Sequence, residues 1–409
     1  MISVDQRTRT AADEQSVDPS EFFDQTLPAR FDANTALAAP GARELDLRPI
    51  AVEVDGTIWQ LAFDGQHFTV GRAHDAASAR THWRLDAESL SDLVNDTCTP
   101  VGLMTGGDLD LVRGPFQALL DWTVVLRSVI DGRPLHTTGS VEFHDRDGSP
   151  LGLHRAFRIG DDPDDIAHFL GEAGFLHLEG VFDPEEMAEI SADMDRAAAD
   201  YSPGDNRSWW AETDDGTNRL VRMQYFQDRS PATAAMLTDD RLQSIARLTT
   251  DGHRNAKPGP NRNLVEALVK PLGVVKGISD VPWHKDCSLG SHSYRCCSLT
   301  VGISVTGADA ASGQLRVVAG SHRTLIQAGF VRDNLDLPQI DLPTSTGDVT
   351  VHLSCTLHMS QPPVQRERRV LYTDFSMPSR DGGRAPGETK LARIREGAPT
   401  TVSQPAARR

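Results

Sequence analysis

The stretch Trp283-His284-Lys285-Asp286 contains the only His-x-Asp triplet in the sequence. Side chains two residues apart on a β strand point to the same face, so His284 and Asp286 can face one cavity. Imidazole and carboxylate are ligands that suit Fe(II) when a third ligand joins them and other coordination positions stay open. The triplet alone is not specific, because a chain with 14 histidines contains such a pattern by chance.

A third ligand has to come from another strand, and four downstream histidines are candidates: His292, His322, His352 and His358. His358 is preferred because it follows a predicted strand, residues 348–353, and precedes the turn Gln361-Pro362-Pro363. Ser360 lies two residues further along on the same side, and Arg369 opens the next predicted strand. An arginine there can present its planar guanidinium to a carboxylate, close to the metal.

Short β segments separated by turns dominate the second half of the chain and predict a β sandwich or barrel. These segments are Cys297–Val305, Gln314–Val318, Asp348–Leu353 and Val370–Phe375. Upstream, a short strand at Phe175–Leu178 precedes a helix that Asp183 caps and Pro184 begins.

Residues from about Ile166 to Ser376 resemble the phytanoyl-CoA dioxygenase family of Fe(II)- and 2-oxoglutarate-dependent oxygenases. Five elements carry the resemblance in order: Gly174–Phe182, Trp283–Asp286, Ser312–His322, Gly347-Asp348 and Arg368-Arg369. The resemblance implies a mainly β, α+β fold, in which a double-stranded β-helix (jelly roll) holds the active site. The residue after His284 is Lys285, whereas the family more often has Gln there. The Lys285 side chain is expected to face away from the metal.

The same resemblance implies the site. His284, Asp286 and His358 are expected to bind Fe(II), and Arg369 with Ser360 to hold the distal carboxylate of 2-oxoglutarate. Arg368 is the alternative to Arg369, and Arg222 falls where the family often has a further cofactor contact. The implied reaction consumes O2 and 2-oxoglutarate, yields succinate, and most simply hydroxylates a small or lipid-like metabolite.

The N-terminal part resembles the sterol carrier protein-like family, a small α/β lipid-binding fold. The residues that carry this resemblance are Trp59–Gly65, Leu85–Leu90 and Gly106–Gly114. It implies a role in substrate delivery or recruitment, and a purely structural or dimerisation domain is the alternative. The expected organisation is a flexible leader (1–22), this α/β domain (23–138), a linker (139–164), the oxygenase domain (165–381) and a flexible tail (382–409).

Composition excludes several other classes. A formal net charge of −17 disfavours nucleic acid as a partner. No apolar run is long enough to predict a membrane span. The five cysteines are an odd number and include no Cys-x-x-Cys pair, so neither a disulfide framework nor a thiolate zinc site is expected. Free thiols are typical of a reducing compartment, and the protein is therefore expected to be cytoplasmic. Cys287 is interpreted as a packing residue.

Two functional alternatives stay open beside the oxygenase. One is a lipid-binding protein whose oxygenase fold has lost turnover. The other is a structural zinc protein of the cupin type, which is disfavoured because Arg369 would then have no function. The sequence determines neither the oligomeric state nor the substrate, which the loops at Asn206–Arg222, Gly252–Asn263 and Ser288–Arg295 are expected to select.

Overall fold

The computed structural model describes residues 1–259, 262–277, 279, 281–290, 292–294 and 296–380. The predicted tail, 382–409, therefore lies outside the described residues. The N-terminal helices are α1 (Pro19–Glu21), continued by a π-helix (Phe22–Thr26), α2 (Leu27–Glu44), α3 (Ala87–Asn95), α4 (Pro100–Gly106) and α5 (Phe116–Asp131). The strands of this part are β1 (Ile50–Val54), β2 (Thr57–Phe63), β3 (Phe68–Ala73), β4 (Thr81–Leu85) and β5 (Leu109–Arg113).

The N-terminal strands form one five-stranded sheet in the order β3-β2-β1-β4-β5. An Asp55-Gly56 turn joins β1 and β2 into a hairpin, and both turn residues have positive φ, 48° and 81°. Strand β4, which the sequence did not predict, pairs in parallel with β1. Asp86 caps α3, because its carboxylate accepts a hydrogen bond from the Ser89 amide. The sheet is consistent with a small α/β domain, and its assignment to a lipid-binding family stays a prediction.

The second part contains helices α6 (Pro163–Ala173), α7 (Pro184–Ala197), α8 (Pro231–Met236) and α9 (Asp240–Ala246). Its strands are β6 (Phe175–Leu178), β7 (Ser208–Thr213), β8 (Asn218–Met223), β9 (Glu266–Lys270), β10 (Val274–Lys276), β11 (Leu299–Ser304), β12 (Leu315–Val318), β13 (Gln339–Leu342), β14 (Val349–Leu353), β15 (His358–Ser360) and β16 (Arg368–Phe375). The predicted loop Asn206–Arg222 is in fact mostly the β7–β8 hairpin.

These strands form two antiparallel sheets. The larger sheet has the order β10-β7-β8-β9-β16-β11-β14-β6, and the smaller one β13-β12-β15. An isolated bridge between His284 and His358 extends the smaller sheet. The rings of His352 on β14 and His358 on β15 lie 4.0 Å apart, so the sheets meet at the predicted metal site.

Strict alternation along the central strands separates the two faces of the larger sheet. On β11, buried Leu299, Val301 and Ile303 alternate with Thr300, Gly302 and Ser304. The apolar set belongs to the same core as the buried side of α7. The polar set shares its face with His352, because Thr300 and His352 are direct cross-strand partners. One face is therefore the hydrophobic core and the other faces the site.

Ordered contacts replace the predicted flexible leader. Val4 is buried in the core of the second part, and Ile2 pairs with the backbone at residues 248–250. Arg7 is also buried and forms an ion pair with Asp5 at 2.8 Å. A few well-placed apolar residues and one ion pair are enough to anchor this segment, although its average polarity is typical of a free terminus.

The two parts share one interface instead of being separated by a loose linker. Leu325, Ile326 and Phe330 of the second part belong to the hydrophobic core of the first. Within the predicted linker, Leu151 and Phe157 are buried in the core of the second part. Among the described residues, no helix is long and apolar enough to cross a membrane.

Candidate metal centre and cofactor pocket

His284, Asp286 and His358 form a compact set of three ligand atoms that all lie within 4.8 Å of one another. Asp286 Oδ1 is 3.4 Å from His284 Nε2 and 3.5 Å from His358 Nε2. Backbone hydrogen bonds of 3.0 Å in both directions fix the two histidines opposite each other. The sequence predicted that Asp286 lies on a strand with His284. Asp286 instead begins a short 3-10 helix at residues 286–289. The turn brings the carboxylate back toward both imidazoles.

Hydrogen bonds set the orientation of both imidazoles. His284 Nδ1 lies 2.7 Å from the Pro282 carbonyl oxygen, and His358 Nδ1 lies 3.0 Å from that of Thr356. A carbonyl can only accept, so in each ring Nδ1 carries the proton and Nε2 keeps its lone pair. Both lone pairs are thus on the side of Asp286, which is the arrangement a metal ion needs.

Two further side chains hold Asp286. Thr300 Oγ1 donates to Asp286 Oδ2 at 2.8 Å, and His352 Nε2 lies 3.2 Å from the same oxygen. Oδ1 therefore remains for a metal. Sequence reasoning included His352 among four candidate ligands and then set it aside. Its position opposite Thr300 on β14 is the signal that identifies it as a support of the ligand instead of a ligand.

The electrostatics of the site favour metal binding. Burial by itself raises the pKa of Asp286, but the neighbouring imidazoles of His358, His284 and His352 hold it well below the usual range. Burial, together with the nearby His352 and His284, lowers the pKa of His358 well below its ordinary value. The site therefore presents an ionised carboxylate and a neutral imidazole, the protonation states that coordinate a cation.

The structure corrects the predicted carboxylate-binding arginine. Arg369 points to the core face of the sheet, where it donates to the Ser191 carbonyl and pairs with Asp195 of α7 at 2.8 Å. Arg368, the alternative, points to the face of the site and donates to Ser360 Oγ at 3.1 Å. The reason is the strand period of two, which sends neighbouring residues to opposite faces.

Arg368 is buried, 4% exposed, and its Nε has no hydrogen-bond partner among the described residues. Burial lowers the pKa of its guanidinium, although the nearby Tyr372 hydroxyl acts in the opposite direction. Such a group is costly unless an anion completes it. Buried Lys270 is its direct cross-strand partner and therefore shares the face, with Nζ donating to the Ser279 carbonyl. This corner fits a carboxylate better than any neutral group.

Arg222 lies on the same face as Lys270. Its cross-strand partner Leu268 is two residues from Lys270 on β9, and residues two apart on a strand share a face. Its guanidinium already pairs with Glu266 at 3.1 Å and stacks 4.4 Å over Trp209. A contact of Arg222 with a cofactor stays a prediction.

A cavity of about 760 Å³ leads outward from Asp286 and Thr300. Its walls are about equally polar and apolar, and the polar part includes Glu266, Tyr372, Asp374 and the arginines Arg7, Arg254 and Arg262. Two of the three loops expected to select the substrate contribute to it, one through Arg254, Ala256, Arg262 and Asn263 and the other through Leu289, Gly290 and Tyr294. The cavity is large enough for a metabolite-sized ligand.

Comparison with known proteins identifies the second part of the chain. Residues 170–370 match the family model described as phytanoyl-CoA dioxygenase. An ectoine dioxygenase of Nocardia farcinica is 28% identical over 189 residues, 44% of this chain and 59% of its own length. Another, of Bordetella parapertussis, is 30% identical over 165 residues, 37% of this chain and 47% of its own length. The chain thus spans about half the length of the curated relatives it matches.

Two solved structures can be placed beside these relatives. AviO1 from Streptomyces viridochromogenes aligns with a TM-score of 0.42 and 22% identity, covering 55% of this chain and 98% of its own. EctD from S. alaskensis, solved with 2-oxoglutarate and 5-hydroxyectoine, aligns with a TM-score of 0.42 and 19% identity, covering 60% and 86%.

Proposed function

Since residues 170–370 form a phytanoyl-CoA dioxygenase family domain, we propose that this chain is an Fe(II)- and 2-oxoglutarate-dependent dioxygenase that hydroxylates a small, polar metabolite. One observation carries the proposal. A two-histidine, one-carboxylate triad contacts the site face of the larger sheet through Thr300 and His352, and on that same face Arg368 is buried with no carboxylate partner among the described residues. A metal site alone is common, whereas the added arginine provides for an anionic co-substrate.

The roles of the residues follow from their contacts. His284, His358 and Asp286 Oδ1 would hold the iron, and Thr300 with His352 keep the Asp286 carboxylate in place through Oδ2. Arg368 and Ser360 would bind the distal carboxylate of 2-oxoglutarate through charge-assisted hydrogen bonds. Bound iron and 2-oxoglutarate together supply the activation of O2, with succinate and carbon dioxide as co-products. The protein's own task is to orient these groups toward the substrate cavity.

The walls of the cavity favour a polar substrate over a lipid. Arg254 and Arg262 are exposed at its edge, and among the described residues neither guanidinium has a carboxylate partner. Glu266 and Asp374 add negatively charged hydrogen-bond acceptors to the same lining. A metabolite that carries both an anionic group and hydrogen-bond donors matches this lining. Ectoine belongs in the first substrate panel because the relatives are named for it.

The alternative of a lipid-binding protein draws on a separate, mainly apolar cavity that residues of the N-terminal part line together with some of the second part. That cavity is lined by Phe22, Phe23, Leu90 and Val124, with Arg127 at one end, and has a volume of about 110 Å³. Sites for drug-sized ligands usually measure roughly 300–1,000 Å³. An acyl chain or sterol does not fit in this conformation, so the oxygenase is favoured.

Succinate formation tests the proposal directly. The protein is incubated with Fe(II), 2-oxoglutarate and O2, with and without a panel of polar metabolites, and succinate is quantified by mass spectrometry. We expect slow succinate formation without substrate, an acceleration by the true substrate, and neither in Asp286→Ala. If folded wild-type protein forms no succinate with any compound and binds no 2-oxoglutarate, the oxygenase proposal is wrong.

A further inference from the structure

Four of the five cysteines lie together in one buried cluster directly beside the iron site. They are Cys287, Cys296, Cys297 and Cys355, with exposures of 5%, 1%, 0% and 3%. Cys296 Sγ is 3.4 Å from Cys297 Sγ, which in turn is 2.9 Å from Cys355 Sγ. A disulfide has a sulfur–sulfur distance of about 2.05 Å, so these thiols are free.

His292 completes the cluster with a nitrogen donor. Its Nε2 lies 4.0 Å from Cys296 Sγ. The ligand atoms of Cys287, His292 and Cys296 all lie within 4.8 Å of one another, as do those of Cys296, Cys297 and Cys355. Zinc–sulfur bonds of about 2.3 Å in a tetrahedron place two sulfurs roughly 3.8 Å apart, so small side-chain movements create a four-ligand site.

Asp96, from the end of α3, orients His292 for this purpose. Asp96 Oδ2 lies 3.2 Å from His292 Nδ1 and accepts a hydrogen bond from Ser293 Oγ. Arg127 lies 3.8 Å from the other oxygen of the same carboxylate. Nδ1 thus faces the carboxylate and Nε2 faces the sulfurs, so a metal ion that displaces the proton from Nε2 would bind there. A carboxylate behind a histidine is the usual support of a zinc-binding imidazole.

We propose that this cluster is a second metal site, distinct from the iron site, for a thiophilic divalent ion, foremost Zn²⁺. Cys287, His292 and Cys296 are three of its ligands, and Cys297 or Cys355 supplies the fourth. Thiolates and an imidazole select zinc, whereas the histidine–carboxylate triad next to it suits Fe(II). Four protein ligands in a buried position make the site structural, not catalytic.

The expectation from the sequence, that thiolate zinc is improbable, relied on the missing Cys-x-x-Cys spacing. The structure assembles the donors differently, from the segment 287–297 and from Cys355 after β14. Likewise Cys287, interpreted as packing, lies at a point where two other donors, His292 and Cys296, converge.

Such an ion would fix the backbone on both sides of the iron site. Cys287 follows the ligand Asp286, and Cys355 precedes the ligand His358 by three residues. The same segment is attached to the N-terminal part, since Thr99 donates to the carbonyls of Gly290 and Ser288. Together with Asp96, the ion would therefore connect the N-terminal part to the iron ligands.

Metal analysis of His284→Ala tests the proposal without interference from the iron triad. We expect about one zinc per chain in this variant after gel filtration. His284→Ala/Cys296→Ser and His284→Ala/His292→Ala should lose it. The matched control is His284→Ala/Cys98→Ser, which removes a buried cysteine outside the cluster and should keep the ion.

Cobalt substitution keeps the test decisive if a cysteine variant fails to fold. Wild-type protein freed of metal is titrated with Co²⁺, and we expect thiolate-to-cobalt charge-transfer bands that saturate near one equivalent and disappear on addition of Zn²⁺. Absence of zinc from the purified protein, together with absence of these bands, overturns the proposal. So does a Cys297–Cys355 disulfide found by counting alkylated thiols in the native protein.

The two proposals fail separately. If the protein binds no zinc, succinate formation still tests the oxygenase proposal. If it forms no succinate, metal analysis still tests the second metal site.

Discussion

Arg368 and Arg369 are neighbours in the chain but belong to two different regions of the molecule. Arg369 lies on the core face, where Ser191, Asp195 and Glu367 complete its hydrogen bonds. Arg368 lies on the site face, buried, with Ser360 as a neutral partner and an Nε without one among the described residues. A completed buried group supports the fold, whereas an incomplete one indicates a ligand.

The same difference separates the two faces as a whole. The core face of β11, β14 and β16 is apolar and packs on helix α7. On the site face, His352 and Arg368 each keep a buried nitrogen without a partner in the described part of the chain. Substitutions on the site face should therefore change ligand binding, and substitutions elsewhere in the framework should change stability.

The largest expected effect is the loss of the carboxylate ligand. Asp286→Ala removes the one anionic donor of the triad and leaves two neutral imidazoles, which hold iron more weakly and in a less defined geometry. We expect succinate formation to fall by at least about 1,000-fold, measured at saturating Fe(II). The control is Asp309→Ala, which removes an exposed carboxylate paired with Arg366 and should keep full activity. Retained activity in Asp286→Ala would exclude the triad.

The adjacent arginines provide the sharpest comparison. Arg368→Ala removes a charge-assisted contact to 2-oxoglutarate, so we expect its KM to rise by about 100-fold, from roughly 3 kcal/mol of lost interaction. Arg369→Ala should change this KM by less than about threefold and instead lower stability by about 1 kcal/mol, because its ion pair is partly exposed. The reverse ranking of the two KM values would show that the assignment of the two faces is wrong.

A smaller effect is expected for the residue that supports Asp286. His352→Phe keeps a ring of similar size but removes the hydrogen bond to Oδ2. Loss of such a support typically weakens metal binding by about 10–100-fold, which anaerobic Fe(II) titration would measure. His177→Phe is the control, since His177 contacts Asp348 and not the triad. Equal iron affinity of His352→Phe and wild type would remove His352 from the site.

The smallest effect belongs to the framework. Asp348 accepts hydrogen bonds from the amides of Gly180 and Ser345 and from His177. Although burial alone raises it, these bonds hold the pKa of Asp348 below 3.8. A lowered folded-state pKa stabilises the protein above the unfolded value of 3.8 and ceases to do so as the pH falls through the folded value.

Asp348→Asn should therefore lower the free energy of unfolding by about 1–3 kcal/mol at neutral pH. The difference from wild type should shrink as the pH falls below about 4. Denaturant unfolding over this pH range measures it, with iron affinity as the control quantity that should not change. A difference that grows toward low pH would contradict the assigned sign.

The sequence was sufficient for those features that depend on local pattern. It predicted His284, Asp286 and His358, which the structure brings within 4.8 Å of one another, and it predicted the strand Phe175–Leu178 with its correct ends. The cap at Asp183 was also visible, because helix ends need side-chain acceptors at fixed positions.

Features that depend on strand phase or on distant packing were not accessible. Whether Arg368 or Arg369 faces the site depends on where β16 begins, and a shift of one residue exchanges the faces. The cysteine cluster combines residues 58 positions apart, Cys297 and Cys355, which no local spacing relates. The anchoring of residues 1–22 likewise depends on a surface that only the folded chain provides.

The central claim is that the site face binds iron and 2-oxoglutarate together through the triad and Arg368. The visible metal-to-ligand absorption of the anaerobic Fe(II)–2-oxoglutarate complex measures this most directly. We predict a band in wild type and in Arg369→Ala, a band in Arg368→Ala only at much higher 2-oxoglutarate, and none in Asp286→Ala. Folded wild-type protein without a band, or an unchanged band in Arg368→Ala, would contradict the account.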